Sequence, residues 1–275
     1  MSGELGAELI WFAVGLVGAG LFAGFVGGLF GIGGGVVVVP ALYLVLTALG
    51  VDEDVRMHVA IATSLSTIVS TSWRSLAAHT KAGAVDYAVL KAWAPWITLG
   101  ALAGAAAAGF ATTELLLIIF GAGLFLIALQ MGFGNPNWRL ASDLPTGAPR
   151  AAIASSIGFF SALMGIGGGA FGVTMMTLCG KPIHRAVATA SGFGAAIALP
   201  AALGYAIAGW GRDGLPPWSL GFVSVPGFLI LAALTALTAP LGARLAHRLP
   251  QLTLKRAFAI FLGLVALNML REAFV

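Results

Sequence analysis

Long uncharged and mostly apolar stretches dominate the pattern of the chain, and short polar segments separate them. The uncharged runs are 9–51, 57–73, 92–113, 115–138, 151–180, 186–211, 214–243 and 257–270. A bilayer core about 30 Å thick needs about 20 apolar residues per helix, so most of these runs fit one membrane-spanning helix. The alternation typical of barrel strands is absent from them, so the pattern predicts helices.

Composition supports lipid as the solvent of this chain. Of its 275 residues, 59% are hydrophobic and only 9% are charged, whereas a soluble domain has about 25% charged residues. One globular core cannot bury that much apolar surface. We therefore expect an all-α polytopic protein that crosses the cell inner membrane many times. The net charge of +4 is explained by basic loops rather than by a nucleic-acid partner.

The two halves of the chain resemble each other. GLFGIGGGVVVVP (28–40) matches ALMGIGGGAFGVT (162–174), and HVAIATS (58–64) matches HRAVATA (184–190). The glycine blocks are 134 residues apart and the histidine blocks 126. Two matched blocks in the same order indicate a duplication. The predicted units are a first transmembrane repeat, a cytoplasmic linker and a second transmembrane repeat, at 1–134, 135–149 and 150–275.

Each repeat contains a glycine cluster that should interrupt a helix. The clusters are Gly31–Gly35 and Gly165–Gly169, and each glycine weakens a helix by about 1 kcal/mol. Close packing of helices through small residues is the alternative. As unbroken helix, 9–51 would span about 65 Å, or two crossings, and 151–180 about 45 Å, which favours a re-entrant hairpin with its tip inside the membrane.

The basic residues predict the orientation. If each broken segment is a hairpin followed by three helices, eleven of the 14 basic residues share one face, which the positive-inside rule makes cytoplasmic. If each broken segment crosses the membrane once, the basic residues divide evenly between the two faces. The distribution tests only the second hairpin. The predicted fold is two inverted repeats, each a glycine-broken, re-entrant-like helical hairpin plus three transmembrane helices, with both termini periplasmic.

A glycine break that leads into a helix can bind an anion. The first turn of a helix has free N–H groups and a partial positive charge, and glycine lets a ligand approach them closely. Such a site avoids the cost of a charged side chain in the bilayer. Two helix N-termini that enter from opposite faces would meet near mid-membrane. The candidate residues are Gly31, Gly33, Gly34, Gly35, Gly165, Gly167, Gly168 and Gly169.

Hydroxyl side chains follow the first break. Thr63, Thr67, Ser70 and Arg74 are spaced i, i+4, i+7 and i+11, one stripe of a helix. This stripe could line an anion path that ends at Arg74, at the cytoplasmic mouth. Ser and Thr also bond their own helix carbonyls or join helices, and this alternative stays open. Further hydroxyl candidates are Ser64, Thr189 and Ser191.

His58 and His184 occupy equivalent places at the starts of their helices. A titrating imidazole could couple transport to protons, and a structural role at a helix end is the alternative. No cluster at metal-ligand spacing, no Gly-Lys-Ser/Thr after GIGGG and no catalytic constellation occurs in the sequence. We therefore predict no metal, no cofactor and no enzymatic activity.

Several blocks resemble the TauE/SafE permease family, also described as sulfite exporters. They are GLFGIGGGVVVVPAL, HVAIATSLSTIVS, AHTKAGAVDYAVL, MGIGGGAFGV, HRAVATAS and PLGARLAHRLPQLTLKRAFAIFLGLVAL. The resemblance implies secondary transport of an anion, often sulfite or an organosulfur compound and often outward. It supports the glycines, Thr63 and Thr189 as site residues. Ala190 stands where the first half has Ser64, which implies an asymmetric site.

Several functions remain open at this level. The favoured hypothesis is export of sulfite or an organosulfonate. The alternatives are import of an organosulfonate or carboxylate, an anion channel and a scaffold for a partner protein. The sequence leaves open the coupling ion, the direction of transport and whether the chain forms a homo-oligomer.

Overall fold

The chain folds as a bundle of helices with one short β-hairpin. The computed structural model describes residues 14–26, 34–134, 138–246 and 251–274. Its helices are α1 Val14–Val26, α2 Gly35–Ala48, α3 Glu53–Lys81, α4 Tyr87–Ala108, α5 Thr113–Phe133, α6 Gly147–Met164, α7 Gly169–Leu178, α8 Ile183–Ala208, α9 Val225–Ala246 and α10 Gln251–Glu272. The strands β1 Ser219–Leu220 and β2 Val223–Ser224 are antiparallel, with Ser219 opposite Ser224. The predicted all-α class is confirmed.

Polar residues set the starts of three long helices. The side chains of Asp52, Asp86 and Thr112 accept hydrogen bonds from the backbone N–H groups of the first turns of α3, α4 and α5. These caps satisfy amides that have no partner within the helix. Glu114 adds a negative charge to the first turn of α5, where the helix dipole favours it.

The outer surface of the bundle is apolar. Leu126, Ile207, Ile260 and Leu264 each expose between 64% and 75% of their area. Among the described helices, α4, α5 and α8 are long and apolar enough to cross a membrane. Contiguous exposed apolar surface is expected where lipid is the solvent.

Several helix pairs have a counterpart when the two halves are exchanged. The contact of α2 with α3 corresponds to that of α7 with α8, and the contact of α4 with α8 corresponds to that of α9 with α3. The pairs α3–α8 and α5–α10 correspond to themselves. The contact of α4 with α6 has its counterpart in α1 against α9, where Gly24 lies against Thr235 and Thr238. These corresponding contacts are the ones expected if the two halves are repeats.

Glycines allow α4 and α6 to approach at backbone distance. A Cβ at Gly158 would overlap the carbonyl oxygen of Ile97, and one at Gly100 would overlap that of Ser155. A Cβ at Gly104 would lie 2.5 Å from the carbonyl oxygen of Phe159. Small residues commonly permit such close helix packing inside membranes.

The linker between the halves folds onto the end of α7. The Leu140 N–H donates to the Leu178 carbonyl over 2.9 Å, and Lys181 forms an ion pair with Asp143 at 3.2 Å. The Leu144 amide and the Lys181 ammonium hold the pKa of Asp143 below its ordinary value. The run 214–243 differs from the one-helix expectation, because 214–224 forms turns and the hairpin before α9 begins.

Candidate functional site

The predicted interruption of the second repeat is present at Gly165. This residue ends α6 in the left-handed conformation, with φ of 63°, which glycine adopts without steric cost. The Ile166 N–H donates to the Ser161 carbonyl over 3.1 Å and closes the helix end. The next helix, α7, begins at Gly169. In the first repeat, α2 begins at Gly35, and Gly31 and Gly33 lie outside the described residues.

The two glycine clusters meet inside the bundle. A Cβ at Gly35 would lie 2.6 Å from the Gly165 carbonyl oxygen and 3.1 Å from Cα of Ile166. The Ser64 hydroxyl donates to the same Gly165 oxygen over 2.8 Å. The start of α2, the end of α6 and the middle of α3 therefore form one junction between the repeats.

A small cavity lies at the start of α2. Its volume is about 10 Å³, which is room for about one water molecule. Within the described part of the chain, no side chain caps the α2 N-terminus at Gly34. The cavity is lined by Gly34, Gly35, Val38, Ser64, Thr67, Ile68, Thr71 and Thr235, none of them charged.

The hydroxyl groups at the cavity currently donate to carbonyls. Thr67 donates to Thr63 over 3.0 Å, Thr71 to Ile68 over 3.2 Å and Thr235 to Leu231 over 2.6 Å. A hydroxyl has one proton and two lone pairs, and its proton can rotate toward another acceptor. An arriving anion would therefore be bound through rotation of these hydroxyls.

The structure brings together part of the predicted residue set. Gly34, Gly35, Ser64 and Thr67 line the cavity, and the Gly165 carbonyl oxygen accepts a hydrogen bond from Ser64. A Cβ at Gly167 would lie 3.3 Å from Ile68. Ser191 donates to its own helix at Ala188, as the structural alternative predicted. Gly168, whose Cβ would meet Phe193 at 2.7 Å, and Gly169 belong to the start of α7.

Thr63 and Thr189 lie away from the cavity and hold the repeats together. Thr63 Oγ1 accepts from the Ser224 N–H over 3.0 Å, and Thr189 Oγ1 accepts from the Asp86 N–H over 2.9 Å. Each bond joins opposite halves, so we call the two bonds the cross-repeat clasps. Asp86 and Ser224 also cap helices α4 and α9, by accepting from the backbone amides of Val89 and Gly227.

The clasps reveal a third repeated block that the sequence comparison missed. GAVD at 83–86 corresponds to GFVS at 221–224. Gly83 and Gly221 both have positive φ, 67° and 55°, so each block begins with the same left-handed turn. The signal was weak because only glycine and valine are identical in the two blocks.

Thr71 and Thr235 are cavity residues that sequence reasoning missed. Thr71 follows Ser64 by seven residues, so a helical stripe drawn from Ser64 instead of Thr63 would have found it. Thr235 stands in the apolar run of α9, and only tertiary packing places it opposite α3.

The two equivalent histidines lie in different environments. His58 is buried, its Nε2 lies 3.0 Å from the Ala108 carbonyl oxygen, and its ring stacks on Phe222 with centroids 4.8 Å apart. His184 is exposed, as is Arg74 near the end of α3. Among the described residues, no three His, Cys, Asp or Glu side chains converge as a metal site would require.

The chain matches the family described as "Sulfite exporter TauE/SafE" over residues 16–269. A "Probable membrane transporter protein" from Haemophilus influenzae is 34% identical over 250 residues, covering 91% of this chain and 95% of that protein. One from Methanocaldococcus jannaschii with a similar description is 27% identical over 93% and 94% of the two chains. A third, YunE from Bacillus subtilis, is 34% identical over 63% and 71%. No solved structure matches the chain.

The family match over residues 16–269 covers nearly the whole bundle, including both glycine clusters and both clasps. The chain therefore belongs to the TauE/SafE family and is a multi-pass membrane transporter.

Proposed function

We propose that this protein is a secondary transporter that exports a small sulfur-containing anion, such as sulfite or an organosulfonate. The anion binds at the start of α2, between the two glycine clusters. The observation that carries this proposal is the α2 N-terminus, which no described side chain caps and which opens onto a cavity lined by hydroxyls. The family name supports the class of substrate.

The chemistry of the cavity favours an anion over a cation once the hydroxyls rotate. The helix N-terminus supplies N–H donors and a partial positive charge. Ser64, Thr67, Thr71 and Thr235 supply four hydroxyl groups from two helices. Neutral donors hold the anion without a permanent buried cation, so release costs less than it would from a buried ion pair.

Transport requires the cavity to change size. Sulfite has four non-hydrogen atoms, whereas the cavity of about 10 Å³ has room for about one water. This conformation is a closed state, in which the repeats meet at Gly35 and Gly165. Movement of one repeat against the other would open the junction to each side in turn.

We also propose that the two repeats are inverted relative to each other, because of where the basic residues lie. Eleven of the 14 basic residues fall on one face if the broken segments are hairpins, and both termini are then periplasmic. The exchange symmetry of the helix pairs supports two equivalent units. In spheroplasts, where the outer face of the inner membrane is accessible, an epitope tag after Val275 should bind antibody added to the outside. A tag accessible only from the cytoplasm would contradict this topology.

Proteoliposomes test the function directly. Labelled sulfite should show saturable flux that unlabelled sulfite or an organosulfonate reduces by competition. Thr71→Val should raise the half-saturating concentration about tenfold or more, because a hydrogen bond to a charged group contributes about 1.5–3 kcal/mol.

Thr177→Val is the matched control for this variant. Thr177, like Thr71, is half-buried and donates to carbonyls of its own helix, but it lies near the end of α7, and we expect a change below about twofold. Unsaturable conductance would favour the channel, and net uptake against a gradient would favour an importer. Absence of flux for sulfite and organosulfonates under every gradient would refute the substrate proposal. Flux that is independent of pH would argue against proton coupling through His58 or His184.

A further inference from the structure

We propose that the protein has one anion site rather than two, because Phe193 fills the space in the second repeat that corresponds to the cavity of the first. This inference rests on the proposed function and names which of the two helix N-termini serves it. Phe193 thereby determines specificity: it removes the second N-terminus from contact with the substrate.

The offsets between the two repeats identify the residues of the second repeat that are equivalent to the cavity residues of the first. A residue of the first glycine block corresponds to the residue 134 positions later in the second, and a residue of α3 corresponds to the residue of α8 that lies 126 positions later. The cavity residues Gly34, Val38, Ser64, Thr67 and Thr71 therefore correspond to Gly168, Gly172, Ala190, Phe193 and Ile197. Three hydroxyls of the first repeat are replaced by alanine, phenylalanine and isoleucine in the second.

The space itself is occupied in the second repeat. A Cβ at Gly168 would lie 2.7 Å from Phe193 Cβ and 3.1 Å from Ile197 Cδ1. A Cβ at Gly172 would lie 2.8 Å from the Phe193 ring. Phe193 is completely buried, and its ring stacks on Trp93 with centroids 6.3 Å apart. A ring held in this way cannot leave without repacking α4 and α8.

The equivalent position in the first repeat is less crowded among the described residues. The nearest of their atoms to a Cβ at Gly34 would be Val38 Cγ2 at 3.6 Å, the Ala23 carbonyl oxygen at 3.9 Å and Thr235 Cγ2 at 4.0 Å. Thr67 stands where the second repeat has Phe193, and its hydroxyl lines the cavity. Gly168 and Gly172 thus accept an aromatic ring, whereas Gly34, just before α2, borders the cavity.

Accessibility of equivalent positions to an anionic reagent tests this inference. In a Cys179→Ser background, which removes the single native cysteine, Ser64→Cys and Ala190→Cys place thiols at corresponding positions. Ser64 and Ala190 are equally buried, at 0% and 1% exposure, so static burial does not separate them. The probe is 2-sulfonatoethyl methanethiosulfonate, a small organosulfonate that forms a disulfide with the thiol and releases methanesulfinate.

Ser64→Cys should react at least about tenfold faster than Ala190→Cys. Excess methanesulfonate, which unlike sulfite does not consume the reagent or cleave the disulfide, should slow its reaction. Adding Phe193→Ala to Ala190→Cys should raise its rate toward that of Ser64→Cys. If that variant does not fold, Phe193→Leu is the substitute, with a smaller increase expected. Binding of sulfite to the wild-type protein should saturate at one per chain.

Equal rates at the two thiols, or two sulfites bound per chain, would overturn the single-site inference and leave the proposed transport intact. Reaction only at Ala190→Cys would overturn it as well. Slow reaction at both thiols while the wild type still carries sulfite would mean that the anion binds elsewhere, which also overturns it. Failure of the proposed function is distinct, because wild-type proteoliposomes would then carry neither sulfite nor organosulfonates.

Discussion

Gly35→Val is expected to lower sulfite flux at least about 100-fold, because a displacement of about 1 Å at a site can cost that much. The valine Cβ would lie 2.6 Å from the Gly165 carbonyl oxygen and 2.8 Å from Ile68 Cδ1. The carbonyl belongs to the closed end of α6 and also accepts from Ser64, so it has little freedom to move. The two glycine clusters must separate, and the cavity between them changes shape. Flux in proteoliposomes and thermal unfolding in detergent measure the two consequences.

Gly18→Val is the control for this substitution. Gly18 lies in α1 of the same repeat, and nothing lies within 4 Å of a Cβ built there. We expect that variant to transport at the wild-type rate. Wild-type flux by Gly35→Val would mean that the junction of the glycine clusters plays no part in transport.

Loss of a cross-repeat clasp should destabilise the protein by about 1–3 kcal/mol, which is the cost of leaving a buried N–H without an acceptor. Thr63→Val removes the acceptor of the Ser224 amide, and Thr189→Val removes that of the Asp86 amide. The first variant should have the larger effect, because Ser224 is 1% exposed whereas Asp86 is half-buried. Thermal unfolding of the purified protein in detergent measures both.

Thr63→Ser and Thr189→Ser separate the hydroxyl from the shape of the side chain. Serine keeps the acceptor oxygen, so these variants should retain most of the stability that valine loses. If serine and valine destabilise equally, packing of the threonine methyl group would account for the effect, and the clasps would contribute little. A larger change in flux than in melting temperature would place the clasps in the transport cycle.

The break at Gly165 could be predicted because its physics is local. Gly165 adopts a left-handed conformation that few other residues tolerate, and α6 ends where the glycine cluster begins. The helix that carries the predicted hydroxyl stripe, after the first glycine cluster, is α3. Of the predicted stripe, Thr67 faces the cavity together with Ser64 and Thr71, whereas Thr63 accepts a hydrogen bond from Ser224.

The glycines are the same in the two clusters, so they could not show which cluster borders a cavity and which packs against an aromatic ring. Whether a helix start faces a cavity or an aromatic ring depends on a residue far along the chain. This residue is Thr67, 33 positions after Gly34, in one repeat and Phe193, 25 positions after Gly168, in the other. The contrast between buried His58 and exposed His184 has the same origin, since Phe222 of the hairpin covers only His58. Such contacts join distant segments, and no local pattern encodes them.

The sequence by itself determined that the chain is helical, lies in lipid and breaks a helix at Gly165, because composition, periodicity and glycine chemistry act over short stretches. Only the tertiary structure decided that the two glycine clusters touch, that the clasps join opposite halves and that one of two equivalent spaces is filled. The physical reason is that backbone conformation follows from neighbouring residues, whereas a cavity exists only where side chains from several helices fail to fill the space between them.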